Sequence, residues 1–115
     1  MKPEHEFFPV ADVEYTEAPG GIPEITQRVL AADPETGFAT RILRYAPGAD
    51  SSPLGVQRHD FWEEVYILEG SFTDLTLGET FTPGMYACRP PGMAHGPWRS
   101  EEGVVTFEVR YGRQG

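Results

Sequence analysis

The sequence contains a single cysteine, Cys88, among its 115 residues. One cysteine excludes an internal disulfide framework and any zinc site built from several cysteines. Basic residues are also scarce, since nine lysines and arginines stand against eighteen aspartates and glutamates and the formal net charge is −9. Nucleic-acid affinity comes mostly from neutralising phosphates with lysine and arginine, and anionic membranes also attract basic segments. We therefore expect no nucleic-acid partner and no membrane partner.

Long apolar runs are absent as well. No stretch approaches the length of about eighteen apolar residues that a transmembrane helix needs. No basic start followed by an apolar segment resembles a secretory leader. These absences predict a soluble, cytoplasmic protein.

Thirteen glycines and eleven prolines punctuate short runs of aromatic and β-branched residues. Disordered segments share the glycine and proline but lack the aromatic and β-branched residues, so this pattern is typical of short strands joined by turns. No helix is predicted. We predict an all-β sandwich or barrel over 25–115, preceded over 1–24 by an N-terminal arm with an edge strand at 10–15. The predicted barrel strands are 25–32, 38–45, 56–59, 64–68, 71–77, 80–83, 85–89, 95–98 and 104–111.

Four side chains in the middle of the chain are candidate metal ligands. Residues i and i+2 of a strand point the same way, so Gln57 and His59 share a face. Glu63 follows four residues after His59, beyond an aromatic bend, and can direct its carboxylate to the same point. His95 lies downstream of a stiff Pro-Pro-Gly turn.

Two glycine-bounded segments carry these four residues. In order and spacing they resemble the two conserved motifs of the cupin superfamily. The first segment runs from Gly55 to Gly70, and the second runs from Gly84 through a Pro-x-Gly turn to His95. The preceding hairpin and the last strand also fit the barrel of that family. The resemblance implies an RmlC-like, single-domain cupin, which is a double-stranded β-helix or jelly-roll-like barrel.

Within the superfamily, the runs Trp62–Gly70 and Pro90–His95 are most similar to two kinds of protein. One is the zinc-binding cupin domain of some anti-sigma factors, and the other is the small β-diketone-cleaving (acetylacetone) dioxygenases. The resemblance carries over His59, Glu63 and His95 as metal ligands. Two histidines and one carboxylate suit Fe(II), which we expect as one ion per chain, with zinc, manganese and nickel as other possibilities.

Two positions depart from the cupin pattern. Gln57 stands where the first motif has its first histidine, and its amide could bind the metal or hydrogen-bond a metal-bound water. Arg99 stands at the last position of the second motif, which is often asparagine. We expect Arg99 to bind an anionic or carbonyl substrate, so that Glu63 and Arg99 are the predicted catalytic residues.

Three functions remain open at this point. The first is a mononuclear metal-dependent dioxygenase acting on a small carbonyl or enolisable compound. The second is an isomerase, cyclase or decarboxylase in which the metal is a Lewis acid and Glu63 or a neighbour moves protons. The third is a zinc- or small-molecule-binding module without catalysis.

Two further expectations concern single features. The run Tyr66–Leu68 is apolar on both faces of its strand, and a strand of this kind is covered on both faces. Another subunit could cover the second face in so small a domain, which predicts a homodimer.

Cys88 is expected to be a small core residue rather than a nucleophile, because no base lies near it in sequence.

Overall fold

Glycine turns and short alternating runs build a barrel of two antiparallel sheets. The computed structural model describes residues 1–112. Within that range, two single 3-10 turns, at Val10–Asp12 and Ser52–Leu54, are the helical elements. No described helix is long and apolar enough to span a membrane. The strands are β1 (Thr16–Glu17), β2 (Ile25–Ala32), β3 (Ala39–Tyr45), β4 (Trp62–Gly70), β5 (Phe72–Asp74), β6 (Glu79–Phe81), β7 (Tyr86–Arg89), β8 (Trp98–Arg99) and β9 (Val104–Tyr111).

The larger sheet has six strands in the order β1-β2-β3-β9-β4-β7, and the smaller has three in the order β6-β5-β8. All pairs are antiparallel. The all-β barrel expected from the sequence is therefore confirmed. The inner faces of the two sheets enclose an apolar core that includes Ile25, Leu43, Tyr45, Ile67, Phe72, Trp98 and Val104.

The last strand of the chain lies in the middle of the larger sheet. β9 pairs with β3 on one side and with β4 on the other. Its side chains alternate between the two faces of the sheet, because the strand period is two. Thr106 (0 % exposed) and Glu108 point into the barrel, whereas Phe107 lies on the outer face. Beyond Val104, the buried side of β9 is thus polar, and its apolar side faces outward.

The outer face of the larger sheet carries an aromatic row. Phe107 pairs with Tyr66, and Tyr66 pairs with Tyr86 on the edge strand β7. All three side chains are exposed. On β4 the apolar run divides as the strand period requires, since Ile67 is 3 % exposed inside the barrel and Leu68 is 44 % exposed outside.

Several details of the expected elements were wrong. The strand predicted at 71–77 covers only Phe72–Asp74 and is followed by a turn over 75–78. The edge strand predicted at 10–15 is instead a 3-10 turn, and the edge strand is Thr16–Glu17. The strands predicted at 56–59 and 95–98 reduce to one isolated bridge between Gln57 and His95, followed by β8. Cys88 is exposed rather than buried, because it lies on the outer face of β7. The predicted barrel ended at 115, and residues 113–115 lie outside the described residues.

Candidate metal centre

Backbone hydrogen bonds bring the two glycine-bounded segments together. The amide of Gln57 donates to the carbonyl of His95 at 2.8 Å, and the amide of His95 donates back at 2.9 Å. The amide of Gly92 donates to the carbonyl of His59 at 2.7 Å. Because these bonds lay the two loops side by side, residues far apart in sequence share one end of the barrel interior.

The three ligands implied by the resemblance meet at this point. His59, Glu63 and His95 each offer one donor atom, and these atoms all lie within 4.8 Å of one another. Glu63 begins the inward-facing row of β4 and is 3 % exposed, while His95 is buried and His59 is half-buried. The two imidazole rings are 4.9 Å apart between centroids. A buried group of two imidazoles and one carboxylate is a ligand set that transition metals favour.

The Nε2 atom of His59 supplies a direct test of this site. Among the described residues it is a fully buried side-chain nitrogen with no hydrogen-bond partner. The ring is held by stacking on Phe61, with centroids 4.6 Å apart and planes 9° apart. A buried polar atom without a partner costs about 1–3 kcal/mol, and a metal ion would satisfy it. The residues present therefore fit a metal.

Burial also sets the protonation state of the two histidines. Loss of solvent lowers the pKa of His59 and of His95 below the usual 6.5, although the carboxylate of Glu63 opposes the shift in both cases. Both imidazoles are therefore neutral at neutral pH. The neutral ring is the form that binds metals.

Two arginines hold the carboxylate of Glu63. Arg89 Nη1 donates to Oε1 at 2.9 Å, and Arg110 Nε donates to Oε2 at 2.8 Å. Burial alone would raise the pKa of Glu63, but the charges of Arg110 and Arg89 outweigh it and hold the pKa below its ordinary value. The carboxylate thus stays ionised at neutral pH and is a weak base, which disfavours the proton-moving role expected for it.

A second buried ion pair lines the same space. Arg41 donates through Nε and Nη2 to Oε1 of Glu108, at 3.1 and 2.8 Å, and through Nη1 to Gln27. Thr106 donates its hydroxyl to the other carboxylate oxygen of Glu108. Burial raises the pKa of Tyr45, also at this wall, to about 12, so its hydroxyl remains neutral.

These groups surround a cavity of about 360 Å³, here called the polar cavity. Three arginines and two glutamates line it, so its formal charge is one positive unit when the histidines are neutral. Such a cavity favours an anionic or strongly polar ligand. Its main polar lining residues are Arg41, Gln57, His59, Glu63, Glu108 and Arg110.

Of the two remaining predicted site residues, one lines the polar cavity and the other does not. Gln57 lines the polar cavity beside His95. Arg99 does not reach the cavity. Its side chain is exposed and forms an ion pair with Glu101 at 3.1 Å, because Arg99 pairs with Thr73 at a position of β8 where side chains point outward.

Sequence reasoning missed Arg110. It pairs with Glu63, and its guanidinium carbon lies 5.1 Å from the centre of the Phe61 ring. The sequence did contain one indication of this residue. Thr106, Glu108 and Arg110 form a polar row at alternate positions of the last strand. That row marks a site only once β9 is known to be a central strand.

The two-sheet barrel and the His59, Glu63 and His95 cluster define the class of the protein as a cupin. A family model described as the ChrR cupin-like domain matches residues 4–113, nearly the whole chain. The chain therefore belongs to that family. Comparison with curated proteins finds no significant sequence match.

Solved structures show the same fold. An acetylacetone dioxygenase from Acinetobacter johnsonii superposes with a TM-score of 0.74 at 20% identity, over 96% of this chain and 76% of that one. An RmlC-like cupin from Shewanella frigidimarina gives 0.71 at 21% identity, over 95% and 91%. The polyketide cyclase RemF from Streptomyces resistomycificus gives 0.65 at 21% identity, over 97% and 83%. At these identities the likeness establishes the fold, and the activity has to be argued from the site.

Proposed function

We propose that this cupin is a mononuclear metal-dependent dioxygenase that acts on a small enolisable carbonyl compound. Two observations carry the proposal: donor atoms of His59, Glu63 and His95 all lie within 4.8 Å of one another, and the Nε2 of His59 is buried without a hydrogen-bond partner. The three side chains would hold one divalent ion, with Fe(II) favoured because two imidazoles and a carboxylate leave coordination positions open. The structural likeness to an acetylacetone dioxygenase supports the same reaction class.

The metal would supply Lewis acidity and, as iron, a route to reaction with oxygen. The chain supplies the rest. Arg89 and Arg110 keep Glu63 ionised and oriented, and the stacking of Phe61 fixes the ring of His59. Gln57, beside His95, is placed to bind the ion or to hydrogen-bond a water on it.

Arg110 is proposed to position the substrate. Its Nε is committed to Glu63, but its two Nη groups make no hydrogen bond to other residues of the described range. The side chain is partly exposed and lines the polar cavity. Charge-assisted hydrogen bonds to an oxyanion are about twice as strong as neutral ones. Arg110 would therefore stabilise the enolate form of a β-dicarbonyl compound and hold it against the metal site.

Oxygen consumption by iron-loaded protein tests this proposal. We expect uptake with a β-diketone, and we expect Arg110→Gln to raise KM more than it lowers kcat. Arg44→Gln is the matched control, because Arg44 is an exposed arginine on the outer side of β3. If no β-diketone, catechol or flavonol-like compound supports oxygen uptake above that of metal-free protein, the dioxygenase proposal fails.

A second candidate function needs no oxygen. The likeness to a polyketide cyclase and the positively charged cavity both suit an isomerase, cyclase or decarboxylase that polarises a carbonyl. Product formation under anaerobic conditions would support this alternative over the first. Stoichiometric zinc with ligand-dependent stabilisation and no turnover would instead indicate a non-catalytic zinc- or small-molecule-binding module.

We further propose that the chain forms a homodimer through the aromatic row of β9, β4 and β7. The exposed rings of Tyr66, Tyr86 and Phe107 give that face an apolar character, and removal of apolar area from water favours association. Light scattering of the unaltered protein should give twice the mass of one chain. Tyr66→Glu should reduce the measured mass to that of one chain.

The scarcity of cysteine suits the cytoplasm, where disulfides are rare, and we propose that location.

A further inference from the structure

We propose that the barrel has a second binding site, for a small uncharged apolar molecule that contains one ring. The site is a cavity of about 260 Å³, here called the apolar cavity. It lies between the inner face of β4 and β7 and the smaller sheet. Its apolar lining includes Val65, Ile67, Phe72, Phe81, Met85 and Met93.

Four side chains are shared by this cavity and the polar one. Phe72, Arg89, His95 and Trp98 line both cavities. Trp98 stacks on Phe72 with centroids 4.6 Å apart, and the guanidinium of Arg89 lies 4.9 Å from the Trp98 ring centre. The charge of Arg89 is directed at Glu63, which lines the polar cavity. The apolar cavity therefore adjoins the metal centre through His95, but the rest of its lining is mostly apolar, whereas that of the polar cavity is largely charged.

Local hydrogen bonds occupy several of the polar groups on its walls. Asp74 Oδ1 accepts from the backbone amides of Thr76 and Leu77, at 2.9 and 3.0 Å. The hydroxyl of Thr76 donates to the carbonyl of Gly96 at 2.8 Å. A polar ligand would lose its hydrogen bonds to water without gaining these groups as partners. An apolar ligand has no hydrogen bonds to water to lose.

The size of the cavity sets the size of the ligand. An apolar cavity of about 150 Å³ is enough to hold benzene, so 260 Å³ admits one ring with a short substituent. The rim carries the half-exposed thioethers of Met85 and Met93 together with Leu77. Methionine side chains adjust their shape to what they contact, so the rim can close over ligands of differing outline.

The three methionines of the chain make this proposal testable with one probe. Met85 and Met93 line the cavity, whereas Met1 is 88 % exposed and does not line it. In protein labelled with ¹³C at the methionine methyls, titration with toluene should shift the Met85 and Met93 signals through the ring current and leave Met1 unchanged. Equal shifts of all three signals, or none up to the solubility of toluene, would overturn the proposal.

Two variants locate the binding within the cavity. Ala87 lies on its wall, and Ala87→Leu should fill the space and weaken toluene binding about tenfold or more. Ala31→Leu, on a strand that does not line the cavity, should leave binding unchanged. Unaltered binding by Ala87→Leu with an unaltered melting temperature would place the probe elsewhere. Shifts that depend on protein concentration rather than on toluene would show that a second copy covers the rim, which also contradicts the proposal.

The measurement requires neither metal nor turnover. Its failure is therefore distinct from failure of the proposed dioxygenase activity, and a metal-free protein can still confirm the apolar site.

Discussion

The two halves of the barrel interior are built on the same strand alternation but have opposite chemistry. Beyond Val104, the inward row of β9 carries Thr106, Glu108 and Arg110, all polar and held by ion pairs or hydrogen bonds. Beyond its first residue, the inward row of the neighbouring strand β4 carries Val65 and Ile67, which are buried and apolar. Alternation thus determines which residues share a face, while the position of the strand in the sheet determines whether that face is buried.

This difference distinguishes changes that should remove the metal from changes that should leave it in place. Buried ion pairs contribute little net stability compared with well-packed apolar residues, but breaking one of them is costly. Apolar side chains contribute by leaving water, at about 25 cal/mol per Å². Changes in the polar half should therefore alter metal binding as well as stability, whereas changes in the apolar half should alter stability alone and leave the metal in place.

The largest effect should come from Glu63→Gln. This change leaves the buried Arg89 and the partly exposed Arg110 without their carboxylate and removes a proposed metal ligand, so we expect a loss of roughly 3–5 kcal/mol in unfolding free energy together with loss of metal. Denaturant unfolding and elemental analysis would measure both. Glu64→Gln is the control, because Glu64 lies on the outer face. Equal effects of the two changes would contradict the assigned role of Glu63.

Ile67→Ala should destabilise by about 2–4 kcal/mol, since it removes a buried side chain and enlarges a cavity. The metal-to-protein ratio of the folded variant should match that of the unaltered chain. Leu68→Ala, one residue along on the outer face, should change stability by less than about 0.5 kcal/mol. Loss of metal from the Ile67 variant would show that the two halves are not independent.

Gln57→His should strengthen metal binding by about tenfold or more, which is ~1.4 kcal/mol, because imidazole is a better ligand than a neutral amide. Competition with a chelator would measure it. Gln57→Asn keeps the amide on a shorter side chain and should not strengthen binding. If the histidine variant binds no better than the unaltered chain, the side chain at 57 does not reach the metal.

The smallest effect concerns pH. Because burial lowers the pKa of His59 and His95 in the folded chain, the unfolded chain takes up protons first as the pH falls. Metal-free protein should therefore lose stability as the pH falls below about 6.5, and metal should be retained to a lower pH than solvent-exposed histidines would allow. Melting temperatures over pH 5–8 would test this. A melting temperature that rises as the pH falls would contradict it.

The fold and the cluster of His59, Glu63 and His95 were predictable because both depend on local spacing. The four-residue spacing between His59 and Glu63 lies within one short segment of the sequence. The turn before His95 lies within one loop. One further position, Gly70, is explained only by the fold. A Cβ there would lie 1.9 Å from the carbonyl oxygen of Gly103, and so only glycine fits at the end of β4.

The arginine contacts were not predictable in the same way. Arg99 is the last residue of the second motif but points away from the cavity, and Arg110 is distant in sequence from the motifs but contacts Glu63. Which of the two reaches the site depends on β9 lying between β3 and β4. Strand order is a long-range property that spacing within one motif does not contain.

Metal content of the purified protein tests the central claim most directly. Elemental mass spectrometry should be run on untagged protein prepared without chelator, beside His59→Ala and, as the matched control, His5→Ala, whose histidine is exposed in the N-terminal arm. The account predicts about one divalent ion per chain in the unaltered and His5 proteins and background levels in the His59 variant. No metal in the unaltered protein after reloading, or full metal in the His59 variant, would contradict it.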